Sequence, residues 1–317
     1  MRFSRRVLLS FVMAVMAVPS VAMDRLNLVA TTGMIADAAR QVGGDLVDVK
    51  GLMGPGVDPH AYRQTRTDIV AMTRADLVLW HGLYLEAQME DFFTDLSAKR
   101  NVVEVAAGLD TSLLRGHDDY EDKFDPHVWM NPDIWALIVE QVQGALTATQ
   151  PESAEVFAAN AQEHLAEIER LSGYAKSALA SVPEQSRVLL SAHDAFGYFG
   201  EAYGFEVLGI QGISTESEAG LNRISELVDL LVTRDIRAVF VETSVSDRSM
   251  RAVIEGAAAK GHKVSIGGEL FSDAMGEDGT YEGTYVGMID HNATVITNAL
   301  GGDAPLRGMN NKLSAGS

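Results

Sequence analysis

The chain has 317 residues, a formal net charge of −19, 47% hydrophobic content and no cysteine. That length exceeds one ordinary core and points to two domains, each able to bury apolar surface. The acidic balance disfavours nucleic acid and anionic lipid and favours cations, and the missing thiols exclude disulfides, thiolate metal sites and a lipid anchor on cysteine.

At the N-terminus Arg2, Arg5 and Arg6 precede an apolar run over residues 7–18, and Ser20-Val21-Ala22 supplies a small-residue cleavage site. These are the three parts of a cleavable secretory signal, with processing expected after Ala22 and delivery to the periplasm. The run is too short to cross a bilayer as a helix. Ser4-Arg5-Arg6-Val7-Leu8-Leu9 also fits a twin-arginine signal, which exports a folded protein, so both routes stay open. Losing the three arginines takes the charge from −19 to −22.

Short apolar runs at 26–30, 47–52, 77–80 and 102–105 read as buried strands, with amphipathic segments such as 34–42 and 67–73 between them. This βα alternation predicts a mainly parallel sheet covered by helices. A polar, acidic loop at 115–123 interrupts it. The pattern over 133–180 is helical, and Pro151 suits the first position of a second helix. Apolar residues then recur through Val156, Leu165, Ile168, Leu171 and Leu179 until Pro183. A helix of about 30 residues reaches roughly 45 Å, the span of a whole domain, and suits a rigid strut.

The second half repeats the architecture. Strands are predicted at 188–191, 206–210, 238–242 and 263–266, a helix presents Ile224, Leu227, Val228 and Leu231 on one face, and a last helix runs over 292–300. Residues 301–317 read as a flexible tail. The fold class is therefore α/β: two lobes, each a four-stranded mainly parallel sheet flanked by helices, joined by one long rigid helix. The boundaries fall at 1–22 for the leader, 23–150 and 184–300 for the lobes and 151–183 for the connecting helix.

One phrase occurs twice. Asp58-Pro59-His60-Ala61-Tyr62 and Asp125-Pro126-His127-Val128-Trp129 each place a histidine after Asp-Pro and an aromatic residue two positions on. Proline fixes its own φ and keeps the preceding aspartate extended, so each imidazole stands on a stiff turn with a carboxylate nearby to orient it. His193 follows the predicted strand 188–191, and Asp273 lies beyond the last strand. In open α/β sheets ligands gather beyond the carboxyl ends of strands. Two candidates from each lobe thus face a common cleft, and three imidazoles with a carboxylate suit a divalent first-row transition ion.

Of the other histidines, His81 is expected to pack beneath the loops of the first lobe, His164 to sit on a solvated helix face, and His262 and His291 to be structural. His117 belongs to the charged loop. There is no His-Glu-x-x-His, phosphate-binding glycine loop or Gly-x-Ser-x-Gly elbow. A zinc-dependent envelope hydrolase stays open as an alternative, needing an open coordination position and a general base near the ion.

Four stretches, Gly56 to Tyr62, Asp125 to Asn131, His193 to Phe199 and Gly267 to Asp273, occur in order over nearly the whole mature chain. Together they resemble the metal-specific solute-binding proteins of bacterial ABC importers, the cluster A-I or zinc-uptake type A group. The resemblance implies two α/β lobes joined by a long helix, with Mn²⁺ or Zn²⁺ between them as transported ligand and no organic cofactor. It implies His60, His127, His193 and Asp273 as ligands, an inner-membrane ABC permease with its cytoplasmic ATPase as partners, a monomer, no nucleic acid and no catalysis. An adhesin label is also attached to this family. Many manganese-type relatives carry Glu where this chain has His193, whereas zinc-type relatives usually have a long histidine-rich loop where this chain has only 115–123. The short loop favours Mn²⁺, with Zn²⁺ close behind. The strut predicts local movement near Asp273 rather than wide opening of the lobes.

Overall fold

The computed structural model describes residues 25–116 and 123–314. The leader and His117 lie outside the described residues. Leu26-Asn27-Leu28-Val29-Ala30 is nearly continuously apolar, as a strand covered on both faces must be, and it forms β1 (Leu26–Ala30) inside a sheet. Thr32 caps the next helix by accepting the Ile35 N–H, which opens α1 (Gly33–Gly43). The chain continues through β2 (Val47–Gly51), α2 (Arg66–Arg74), β3 (Leu77–Trp80), α3 (Glu90–Ser97) and β4 (Val102–Glu104). Thr65 and Asp68 close a reciprocal capping box at the start of α2. The four strands form one parallel sheet in the order β2-β1-β3-β4.

Asn131 caps α4 (Pro132–Thr149), whose first position is the proline that needs no N–H partner there. After a 3₁₀ turn over Pro151–Ser153 comes α5 (Ala154–Ala180), 27 residues long. At 1.5 Å per residue it runs about 40 Å. The strut expected from the sequence is present, and its first turn is 3₁₀ rather than α. His164 on α5 departs from expectation, being only 4% exposed. The cause is packing: α5 lies against α1, α4 and α9 together, leaving no wet face at that position.

The second lobe contains β5 (Val188–Ser191), α6 (Gly197–Tyr203), β6 (Glu206–Gly209), α7 (Leu221–Thr233), β7 (Ala238–Glu242), α8 (Arg248–Ala259), β8 (Ser265–Leu270) and α9 (Tyr285–Ala299). One four-stranded sheet was expected here. Instead β5 pairs with β6 and β7 with β8, both in parallel, and β5 packs beside β7 without a ladder among the described residues. A register irregularity at Val239/Phe240 accompanies the second pair. β8 also extends beyond the predicted 266, because Gly267 and Gly268 can be strand residues here: a Cβ on Gly268 would lie 2.3 Å from Val295 Cγ1 of α9. Helix α9 begins at Tyr285, seven residues before the expected start. All of residues 285–297 are buried, so this helix offers no polar face by which its period could be read.

The flexible tail predicted for 301–317 is corrected over its described part. The Met309 N–H donates to both oxygens of buried Asp290 at 2.9 and 3.0 Å, the Ser314 N–H donates to Glu282, and Leu313 is fully buried. The largest apolar core crosses the molecule without a break, from Leu28, Ile35 and Trp135 through Phe157 and Leu171 of α5 to Tyr285 and Ile296 of α9. Smaller clusters lie outside it, one under α2 and α3 around Met72 and Phe93, the other under α7 and α8 around Leu231 and Val253.

Candidate metal centre

The carboxyl ends of the strands point from both lobes toward one place. His60 lies on the β2–α2 connection, and His127 opens a 3₁₀ turn over Val128–Met130 just before α4. His193 stands two residues past β5 and Asp273 three past β8. All four residues are at most 3% exposed, and one ligand atom from each lies within 4.8 Å of the others. The Nε2 atoms of His60 and His193 are each 3.3 Å from His127 Nε2. Asp273 Oδ1 is 3.3 Å from His127 Nε2, and Oδ2 is 3.2 Å from His193 Nε2 and 3.8 Å from His60 Nε2. An ion held tetrahedrally by bonds of about 2.1 Å would have ligand atoms roughly 3.4 Å apart. The distances around His127 and from His193 to Asp273, 3.2–3.3 Å, are close to that, while His60 stands farther from Asp273.

Two of the imidazoles are oriented by buried carboxylates. Asp125 Oδ1 accepts both the His127 backbone N–H at 3.0 Å and its Nδ1–H at 2.7 Å. Glu242 repeats the arrangement from the end of β7, accepting the His193 backbone N–H at 2.9 Å and Nδ1–H at 2.5 Å. Each carboxylate assigns the tautomer, leaving the Nε2 lone pair for an ion. The expected Asp-Pro orienting device therefore works at His127. At His60 it works differently: Asp58 Oδ1 accepts only the backbone N–H, and Oδ2 takes the Thr215 hydroxyl of the other lobe at 2.5 Å.

Asp273 is buried, and the polar groups its oxygens meet are the imidazole Nε2 atoms 3.2–3.8 Å away. A buried carboxylate that faces only imidazole nitrogens is costly unless a positive charge accompanies it. The electrostatics agree. Burial would push the Asp273 carboxyl up, yet the charges and hydrogen bonds of His193 and His127 hold it well below the usual range. Burial pulls His127 down, but Asp125 and Asp273 outweigh it and lift the imidazole to about 9. His193 is raised in the same way by Asp273 and Glu242 against its burial. Burial lowers His60 to about 3, outweighing Asp273, which stands farther off at 3.8 Å. Protons on His127 and His193 thus occupy the cluster's need for positive charge, a role a dication can take over.

Supporting groups tie the lobes across the site. Trp129 Nε1–H donates to the Ser272 carbonyl at 2.9 Å, and the Trp129 carbonyl accepts the Tyr285 hydroxyl at 2.8 Å. The Tyr198 hydroxyl donates to the Asp125 carbonyl at 2.9 Å. Sequence reasoning missed Glu242 and the Trp129 link. A carboxylate ending the buried run Ala238-Val239-Phe240-Val241 was a readable signal for the first; nothing local marks the second. Among the described residues the other histidines are outside the cluster: His81, His262 and His291 bond through Nε2 to the carbonyls of Pro126, Ile236 and Glu269.

Comparison with known proteins agrees with this geometry. The family model described as zinc-uptake complex component A, periplasmic, matches residues 28–299. The manganese-binding lipoprotein MntA of Bacillus subtilis is 47% identical over 277 residues, covering 87% of this chain and 90% of that protein. The zinc-binding protein TroA of Treponema pallidum is 44% identical over 273 residues, covering 86% and 88%. The solved structure of periplasmic TroA superposes with a TM-score of 0.85 at 43% identity, covering 87% of this chain and 99% of that one. Two α/β lobes, a connecting helix and a buried cluster of three histidines and an aspartate belong together here, and the chain is a member of the zinc-uptake component A family of metal-specific solute-binding proteins.

Proposed function

We propose that this protein is the periplasmic binding subunit of an ABC importer, taking up Mn²⁺ or Zn²⁺ and handing it to a membrane permease driven by a cytoplasmic ATPase. The observation that carries this reading is Asp273: a buried carboxylate ringed by three imidazole nitrogens, with one potential ligand atom from each of the four residues inside 4.8 Å. His60, His127, His193 and Asp273 are the ligands in this reading, and Asp273 can offer one oxygen or both. Zinc binds such a donor set more tightly than manganese on coordination chemistry alone. The short acidic loop at 115–123 favours Mn²⁺ as cargo, with Zn²⁺ close behind.

The protein acts as a monomer without catalysis. A hydrolase would need a free general base at the ion, and the carboxylates beside this cluster are engaged: Asp125 and Glu242 by imidazoles, Asp58 by Thr215. The leader comprises residues 1–22, the lobes 23–150 and 184–300, and the strut 151–183. Some relatives are named lipoproteins. This sequence contains no cysteine to carry such an anchor, so it works unanchored in the periplasm. Elemental analysis of protein taken from its native periplasm tests the reading: one equivalent of manganese or zinc is expected, and a protein that binds neither overturns it.

A further inference from the structure

A closed site needs a route, because its four candidate ligands are all at most 3% exposed. A narrow cavity reaches His60 and is walled by Leu83, Tyr84, Lys123, Pro126 and Ile213. Its free volume is about 10 Å³. That is no more than the room needed for one water molecule, so an ion with its water shell cannot pass until a wall moves.

The wall is built in an unusual way. Gly82, Leu83 and Tyr84 have φ of 87°, 51° and 69°, three successive residues in the left-handed region. For the two side-chain-bearing residues this conformation costs energy and persists only where the surroundings enforce it. Buried Glu86 does the enforcing: it accepts the N–H groups of His81 and Gly82 at 2.9 and 3.1 Å and the Thr31 hydroxyl at 2.6 Å. At a φ of 87° a side chain at Gly82 would be strained, and its Cβ would have to displace the Glu104 side chain, whose Oε1 would lie 2.1 Å away. Opposite, the Lys123 ammonium sits 4.0 Å from the Tyr84 ring centroid, a cation–π contact that places a positive charge at the mouth.

We propose that the Leu83–Tyr84 turn and Lys123 form the door through which the ion exchanges, the strained turn as a steric bar and the ammonium as an electrostatic one. This rests on the cation-binding reading above. The door governs how fast an ion enters and leaves rather than how tightly it is held, since none of its side chains is a ligand. Glycine at position 83 or 84 relieves the left-handed strain and removes the bar; Leu83 packs against the main core, whereas Tyr84 is 41% exposed and can be cut back without opening it. Charge reversal at 123 replaces repulsion of an arriving dication by attraction, an effect that salt screens.

Stopped-flow measurement of Zn²⁺ uptake by the ion-free full-length protein, and of its loss to excess EDTA, tests this. Trp129, whose ring centroid is 5.2 Å from that of His127, supplies the fluorescence signal. In Leu83→Gly and Tyr84→Gly both rate constants are expected to rise together by more than about fivefold with Kd held within about twofold. Lys123→Glu is expected to speed uptake at low salt, with the gain vanishing near 1 M, where the screening length is about 3 Å. Rates in both glycine variants within twofold of wild type, with Zn²⁺ binding intact, overturn the door alone. Failure of the wild-type protein to bind Zn²⁺ or Mn²⁺ at all overturns the cation-binding reading with it.

Discussion

The two lobes deliver their candidate ligands by different means. In the first, one continuous parallel sheet supports long connections, and each histidine is set by its own neighbours: His60 and His127 sit on Asp-Pro turns whose aspartates accept their backbone N–H groups. In the second, the strands form separate pairs and the ligands follow strand ends within two or three residues. There the orienting carboxylate comes from elsewhere in the chain, Glu242 of β7 serving His193 across 49 positions. A local device can be read from five consecutive residues; a tertiary one exists only after β5 and β7 are side by side.

The comparison breaks most directly at the ligands. His127→Ala and His193→Ala, one from each lobe, are each expected to weaken ion binding by more than about 100-fold, beyond what loss of an outer partner costs. Both should also abolish most of the ion-induced rise in Tm. Calorimetric titration and thermal melts with and without Mn²⁺ or Zn²⁺ check this. Equal losses would show that the lobes contribute equivalently despite their different construction.

Acid should act on both lobes at once. Without an ion, His127 at about 9 and His193, raised well above its ordinary value by Asp273 and Glu242 against its burial, carry protons at neutral pH. A dication needs their Nε2 lone pairs, so binding expels protons and affinity falls as pH falls. The slope is about tenfold per pH unit for each proton displaced, or roughly 100-fold between pH 8 and 6 for one proton. Titration in buffers of different ionisation enthalpy counts the protons; a pH-independent affinity would contradict the charged cluster.

Orienting carboxylates give the sharpest contrast. Asp125→Asn and Glu242→Gln are each expected to cost about 10–100-fold in affinity, since each loses a charged acceptor on an imidazole Nδ1–H. Asp58→Asn, which touches only a backbone N–H and Thr215, should cost less than about tenfold. The smallest effect on the ion is expected from Leu231→Ala, under α7 and α8 in a core that contains no ligand. It should remove about 2–5 kcal/mol of stability, read by denaturant unfolding, while leaving affinity unchanged.

Legibility in the sequence follows the same division. The first lobe's strands were readable because each is a short apolar run closed by Gly, Pro or Asp, and its two histidines because the Asp-Pro phrase repeats. His193 and Asp273 stood out by their places after strands. The start of α9 was not readable, since a helix buried on every side shows no period, and Tyr285 to Met288 look like any apolar run. His164 between Glu163 and Glu167 looked solvated for a related reason: helices that pack from three directions leave local polarity a poor guide to exposure. Residues 301–314 carry too few apolar side chains to signal a packed segment, and what fixes them lies elsewhere in the chain: Asp290 takes the Met309 N–H and Glu282 the Ser314 N–H.

The unbroken apolar interior has a consequence for heating. Because the same side chains belong to the strut, to the α4 layer and to α9, neither half can melt while the other keeps its interior dry. Calorimetry should therefore record a single endotherm whose van't Hoff and measured enthalpies agree, and a carrier built this way would keep its cargo cage assembled up to the temperature at which the whole chain lets go.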